Sequence, residues 1–274
     1  MKIGKEYADF KSFAEAKEYG FDAVDYPLCD LEPYYSADFE TLKEKFAPIR
    51  AEADAAGVEI YQVHGTWPTD DKTPESCEKM VASMKKAIYC AHILGAKCYV
   101  IHPAMPAGWG DDDAPLARRL TKERLIALAD VAEPYGINVC LENMPFKAHK
   151  LSPISEVADL VREIDRDNVK ICLDTGHANF YGTKGDEMVL ACGDKLACLH
   201  VHDNYGYWDF HSIPYTRGNI DWAAFRSALK EVGYTGPIML ETSVMHNIPS
   251  TMRALAFKLM YEVAADLDYE RKSE

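Results

Sequence analysis

Seven short apolar runs, at 23–24, 60–63, 98–101, 139–141, 171–173, 196–199 and 238–240, each stop on or beside a residue that can bind a metal or move a proton. Those residues are Asp25, His64, His102, Glu142, Asp174, His200 and Glu241. Segments of helical spacing lie between the runs, at 12–19, 38–56, 76–94, 121–135, 155–164, 186–191, 222–232 and 250–265. Ser12 and Ser155 stand where helix N-caps are expected, and Gly20, Gly57, Gly95, Gly136 and Gly233 where helices should stop. With Ile3 in a first strand, the chain parses into eight strand-helix units and no low-complexity linker. That count and length predict an α/β fold, a single (β/α)8 barrel domain over 1–274, with a doubly wound open sheet as the alternative. No Gly-x-Gly-x-x-Gly follows an early strand, which weakens the nucleotide-binding version of the open sheet.

Charge narrows the partners. The 274 residues carry 30 basic and 44 acidic side chains, a net of -14, which disfavours a nucleic-acid backbone or an anionic membrane surface. No stretch approaches the roughly 20 apolar residues of a membrane span, and Met1-Lys2-Ile3-Gly4-Lys5 lacks the apolar core of a signal peptide. The expectation is a cytoplasmic protein with a small-molecule partner, and a homo-oligomer is compatible with it. Four of the eight cysteines, Cys98, Cys140, Cys172 and Cys198, fall inside strand runs and read as reduced, buried thiols. Cys140, Cys172 and Cys198 each precede an acid or histidine by two residues, so they should line the barrel one layer below it. Two strand residues span roughly 6.6 Å, too far for thiolates to join a metal held above them.

In a barrel of parallel strands the carboxyl ends open on one face, so Glu142, Asp174, His200 and Glu241 become neighbours. Three carboxylates and an imidazole around one point repel unless a cation compensates them. The mixed oxygen and nitrogen donors suit Mn²⁺, Mg²⁺, Co²⁺ or Zn²⁺.

The same residues carry a resemblance. Leu141-Glu142-Asn143-Met144-Pro145, Leu173-Asp174-Thr175-Gly176-His177, Leu199-His200-Val201-His202-Asp203-Asn204 and Leu240-Glu241-Thr242 resemble motifs of the xylose isomerase-like barrels, which include sugar-phosphate isomerases and epimerases, ketose 3-epimerases and apurinic-site endonucleases. Val63-His64-Gly65, Ile101-His102-Pro103 and the stretch from Asp209 and His211 to Trp222 extend it over most of the chain. The resemblance implies that Glu142, Asp174, His200 and Glu241 bind one catalytic metal, Mn²⁺ being the first choice. It further implies that Glu142 and Glu241 act as acid and base. The metal would hold adjacent carbonyl and hydroxyl oxygens and stabilise the enediolate left when a proton departs. His102 and His177 join the catalytic candidates.

His64, His102, His177, Asp209 and His211 complete a set that also matches the ligands of trinuclear-zinc endonucleases, so a phosphodiesterase is one alternative. A lyase or deglycosidase using the same enolising step, with His102 or His64 as base, is another, and a non-catalytic sugar-binding barrel is a third. Against a DNA groove stand Asp70, Asp71, Asp111, Asp112 and Asp113 in the loops after His64 and His102. Trp67, Trp109, Phe146, Tyr207 and Trp208 supply aromatic faces for a sugar or pin the loops to the rim. Arg217 reads as a contact for a substrate phosphate or carboxylate. Lys147 and Lys150 read as solvated surface charge, His202 as a backbone-bonding loop residue outside the metal set, and Asp25 as a rim hydrogen-bond partner. The leading expectation is a metal-dependent isomerase or epimerase acting on a carbohydrate or polyol.

Overall fold

In the computed structural model, residues 1–30, 32–108, 113–145, 151–246 and 248–271 are described. Eight parallel strands follow one another around a barrel: β1 (Ile3–Glu6), β2 (Ala23–Pro27), β3 (Glu59–His64), β4 (Cys98–Ile101), β5 (Asn138–Glu142), β6 (Val169–Asp174), β7 (Leu196–His200) and β8 (Ile238–Leu240). Sheet order runs β7-β6-β5-β4-β3-β2-β1-β8. The seam between β7 and β8 is closed by Val201, whose N–H donates to the Met239 carbonyl at 2.8 Å and whose carbonyl accepts from the Glu241 N–H at 3.1 Å. A barrel results, as eight βα units in this length require.

Among the described residues ten α-helices connect or follow the strands: α1 (Phe13–Glu18), α2 (Glu32–Ser36), α3 (Phe39–Ala56), α4 (Pro74–Leu94), α5 (Ala114–Ala132), α6 (Ile154–Ile164), α7 (Thr175–Phe180), α8 (Gly185–Cys192), α9 (Trp222–Val232) and α10 (Arg253–Leu267). The Ser12 hydroxyl accepts from the Glu15 N–H, so that cap stands. Ser155 is not a cap, because α6 already starts at Ile154 behind Pro153. Gly57, Gly95 and Gly233 end α3, α4 and α9 in the left-handed conformation. Helix α5 begins seven residues before position 121, capped by Asp113, whose carboxylate accepts from the Leu116 N–H.

Side chains facing the helix layer form the main core, and those facing inward fill the barrel. Lys5 points into the helix layer, fully buried, with Nζ 2.6 Å from Asp9 Oδ2 and donating to both oxygens of Thr242 at 2.9 Å. That pairing is what makes a buried ammonium tolerable, since an unpaired one costs several kcal/mol, about 3–5. Gly4 and Glu6, at alternate positions, face the other way into the barrel. A Cβ on Gly4 would meet Met239 Sδ at 2.8 Å and the Ala23 carbonyl oxygen at 3.0 Å, so a larger residue there requires Met239 to move.

Candidate active site

The mouth of the barrel is a ring of titratable groups. Strand pairing puts Glu6 opposite Asp25, and Asp174 opposite His200. His64 and Glu142 end β3 and β5, His102 follows β4, and Glu241 follows β8. Thus all eight strands, and not seven, deliver such a residue to this face. Glu6 escaped sequence reading because β1 has only Ile3 as a recognisable apolar residue before it.

His200 stands at the centre, fully buried. Its Nδ1 lies 3.1 Å from Glu142 Oε1 and 3.2 Å from Glu241 Oε2. Both His200 Nδ1 and Glu241 Oε2 are buried without a hydrogen bond. On the other side of the ring, His200 Nε2 meets Asp25 Oδ2 at 2.9 Å, and the Gln62 amide donates to the same oxygen at 3.0 Å. A carboxylate that holds one imidazole nitrogen and aims the other is the usual support of a metal-binding histidine. Asp25, expected as a hydrogen-bond partner at the rim, makes that bond to His200, where it would orient the ring toward a metal. Replacing Asp25 by Ala should weaken divalent-metal affinity by about 10- to 100-fold, measured by competition with a chelating dye.

The other ligand candidates extend from this centre. Glu142, also buried, has Oε2 3.0 Å from His102 Nε2 and 3.7 Å from His64 Nε2. His177 Nδ1 is 3.5 Å from both Glu142 Oε1 and Asp174 Oδ1, linking Asp174 to the centre. Asp174 also caps α7, its carboxylate accepting from the His177 N–H at 2.7 Å. Beyond it, His177, His202, Asp209 and His211 form a second cluster whose ligand atoms lie within 4.8 Å of one another. His202 belongs to this cluster, with Nε2 3.0 Å from Asp174 Oδ1, contrary to its expected role as a backbone-bonding loop residue. The signal was available: His202 follows His200 by two positions, so both face inward.

Electrostatics follow from this crowding. Burial alone would lower the His200 pKa, but Glu241, Glu142 and Asp25 hold it well above the usual value. Burial likewise opposes charge on His177 and His211, yet Asp174 and Asp209 raise the first to about 9, and Asp209 and Glu241 the second to about 10. Burial pushes Glu142 up, and His200 and His102 outweigh it and hold the carboxyl well below the ordinary range. His102 goes the other way, because burial exceeds what Glu142 returns. The carboxylates are thus compensated by imidazolium, the role a divalent cation would take over.

The thiols sit closer than their sequence spacing suggests. Cys98, Cys140, Cys172 and Cys198 are all fully buried. However, Cys172 Sγ lies within 4.8 Å of ligand atoms of Glu142 and His200. Strand stagger is the reason: Cys172 pairs with Glu142 of β5, so it is nearly level with the acid on its neighbour rather than a layer below. All eight cysteines are free.

A cavity of about 210 Å³ opens at β1–β3, lined by Glu6, Asp25, Cys29, His64, Trp67 and Glu241 among others. Trp67 packs edge-on against His102, with ring centroids 4.4 Å apart. Arg217 is not among the lining residues; it is exposed, with its guanidinium 4.8 Å over the Phe210 ring. Tyr207 and Trp208 are also exposed. Trp109, Phe146, Lys147, Lys150, Asp111 and Asp112 lie outside the described residues. Asp71 is buried against Arg124 and accepts from the Met105 N–H, so it is a structural ion pair and not a mouth charge. A larger groove, about 560 Å³, lies over α7 and α8 and includes none of the strand-end ring.

Comparison with known proteins agrees with this geometry. The model of the xylose isomerase-like TIM barrel family matches residues 13–259. A D-psicose 3-epimerase of Ruminiclostridium cellulolyticum is 26% identical over 249 residues, covering 86% of this chain and 79% of that protein. An inosose isomerase of Bacillus velezensis is 23% identical over 238 residues, covering 79% and 81%. Among solved structures, the IolI protein with a bound zinc atom superposes with a TM-score of 0.79 at 20% identity, over all of both chains. No described helix is long and apolar enough to cross a membrane.

Proposed function

Since the chain belongs to the xylose isomerase-like TIM barrel family, we propose that it is a metal-dependent sugar isomerase or epimerase that moves a proton at the carbon beside a carbonyl. The enzyme class follows from its epimerase and isomerase relatives. One observation carries the metal reading: His200 Nδ1 and Glu241 Oε2, buried and 3.2 Å apart with Glu142 beside them, have no hydrogen bond. Orphaned donor atoms of this kind are costly in a protein interior and fit a cation. Glu142, Asp174, His200 and Glu241 would hold it, and this mixed oxygen and nitrogen set suits Mn²⁺ first, with Mg²⁺, Co²⁺ or Zn²⁺ compatible.

A divalent ion bound there supplies Lewis acidity that makes the C–H next to a carbonyl easier to ionise. The protein does the rest. Glu142 comes from β5 and Glu241 from the end of β8, and both carboxylates face His200 Nδ1, at 3.1 and 3.2 Å, each reaching the space beside that nitrogen from its own strand. One takes the proton from one face of the carbon and the other returns it, which inverts that centre. Glu241, whose side chain is 15% exposed, borders the cavity and is the better placed to reach substrate; Glu142, at 1%, is held among histidines. Incubation with ketohexoses in D₂O should put deuterium on the carbon beside the carbonyl of the product. Isomerised product without label would contradict proton transfer and point to a hydride shift.

A second reading, a trinuclear-zinc phosphodiesterase, is supported by the groupings His64–His102–Glu142 and His64–His200–Glu241, which share His64, and His177–His202–Asp209–His211. Metal analysis separates the two, since three tightly held zinc ions per chain would favour hydrolysis.

A further inference from the structure

Glu6 is the one member of the strand-end ring that no role above uses. It is the last residue of β1, faces the barrel interior, and stands between Asp25 on β2 and the β8 end that carries Glu241. Its carboxylate lines the 210 Å³ cavity and its side chain is 37% exposed there. The other two carboxylates of that lining are committed. Asp25 holds His200 and Gln62, and Glu241 faces His200 Nδ1. No hydrogen bond among the described residues reaches the Glu6 side chain, and the cation nearest to it, Lys5 Nζ at 3.8 Å, belongs to the helix layer and is already bound to Asp9 and Thr242.

We infer that Glu6 binds a hydroxyl group of the substrate, at the end of the molecule that reaches β1. This rests on the proposed sugar isomerase or epimerase reading and specifies what its substrate presents there. A carboxyl group with open lone pairs, set in a cavity and excluded from the protein's own hydrogen bonding, is a strong acceptor for an alcohol. The lining contains three carboxylates against a single imidazole, His64, and, among the described residues, no Lys or Arg. An anionic group such as a phosphate would be repelled at that end, whereas a neutral hydroxyl is attracted. Desolvation, reinforced by Glu241 and Asp9 and only partly offset by Lys5, raises the Glu6 pKa to about 7. Trp67 across the same cavity offers the apolar face that a sugar's C–H groups need.

The test uses the full-length, Mn²⁺-loaded protein with Glu6→Ala and Glu6→Gln, and two readouts. Calorimetry measures affinity for an unreactive hexitol, and kinetics measure kcat/KM on the ketohexose turned over most efficiently. Glu6→Ala should weaken hexitol binding and lower kcat/KM at least tenfold, chiefly through KM, with bound metal and melting temperature unchanged. Glu6→Gln keeps a hydrogen-bonding group of the same shape and should stay within about threefold of wild type, which guards against a folding defect in the alanine variant. Among mono-deoxy ketoses, one should be turned over equally by wild type and Glu6→Ala, because it lacks the contacted hydroxyl. Equal hexitol affinity in wild type and Glu6→Ala, including none measurable in either, overturns the inference, as does an unchanged kcat/KM. Hexitol binding that depends on Glu6, without turnover of any ketose, would instead sink the isomerase reading and leave the hydroxyl contact standing.

Discussion

Replacing Glu241 by Gln should lower turnover about a thousandfold or more while leaving the fold intact. The substitution keeps the volume and hydrogen-bonding shape of the side chain and removes its charge and basicity. Loss of a positioned general base typically costs 10²- to 10⁴-fold, and Glu241 also faces His200 Nδ1 at 3.2 Å, where it would hold the metal. The side chain borders the cavity and is not part of the packed core, so the melting temperature should move little. Glu142 provides the contrast. It contacts His64, His102, His177 and His200 within 3.7 Å. Both variants should retain less metal, and Glu142→Gln, which takes the carboxylate away from several buried imidazoles, should also lower the melting temperature. Steady-state kinetics with metal analysis of both variants reads these outcomes, and full activity in Glu241→Gln would refute the paired-glutamate mechanism.

Exhaustive chelation should abolish turnover, and adding back a single equivalent of the right divalent ion should restore it. The effect is large because three carboxylates and His200 would surround the ion, and an ion held at a thousand times its Kd adds about 4 kcal/mol to stability. Rebinding should also release protons. His200 is held well above its ordinary pKa by Glu241, Glu142 and Asp25 when no ion is present, and it must lose a proton to ligate one. A titration in weak buffer at neutral pH measures that release. Full turnover after chelation, or ion binding with no protons displaced, would contradict the metal account.

Much of this was legible before any coordinates. The barrel follows from apolar runs that end on polar residues at a regular pitch, because buried parallel strands need continuous apolar sequence and their carboxyl ends collect function. What escaped were features set by three-dimensional register. Glu6 lacked an apolar run ahead of it, since Gly4 and Lys5 fill the inner layer and the helix layer of β1. Asp25 gained its role from His200, 175 residues away, a contact that no local pattern encodes. Cys172 rose to the level of Glu142 through strand stagger. Asp71 looked like a mouth acid and instead pairs with Arg124 from α5, a helix whose true start lies in a loop-like stretch of sequence. Helices α2 and α7 were missed because five- and six-residue segments are too short to show a helical period.

Anomalous diffraction from crystals of the Mn²⁺-loaded protein tests the central claim most directly. The account predicts a peak among Glu142, Asp174, His200 and Glu241, with ligand atoms of all four at about 2.0–2.3 Å. A fully loaded, active crystal with no peak there, or with its only peak among Cys98, Cys140 and Cys198, would contradict it.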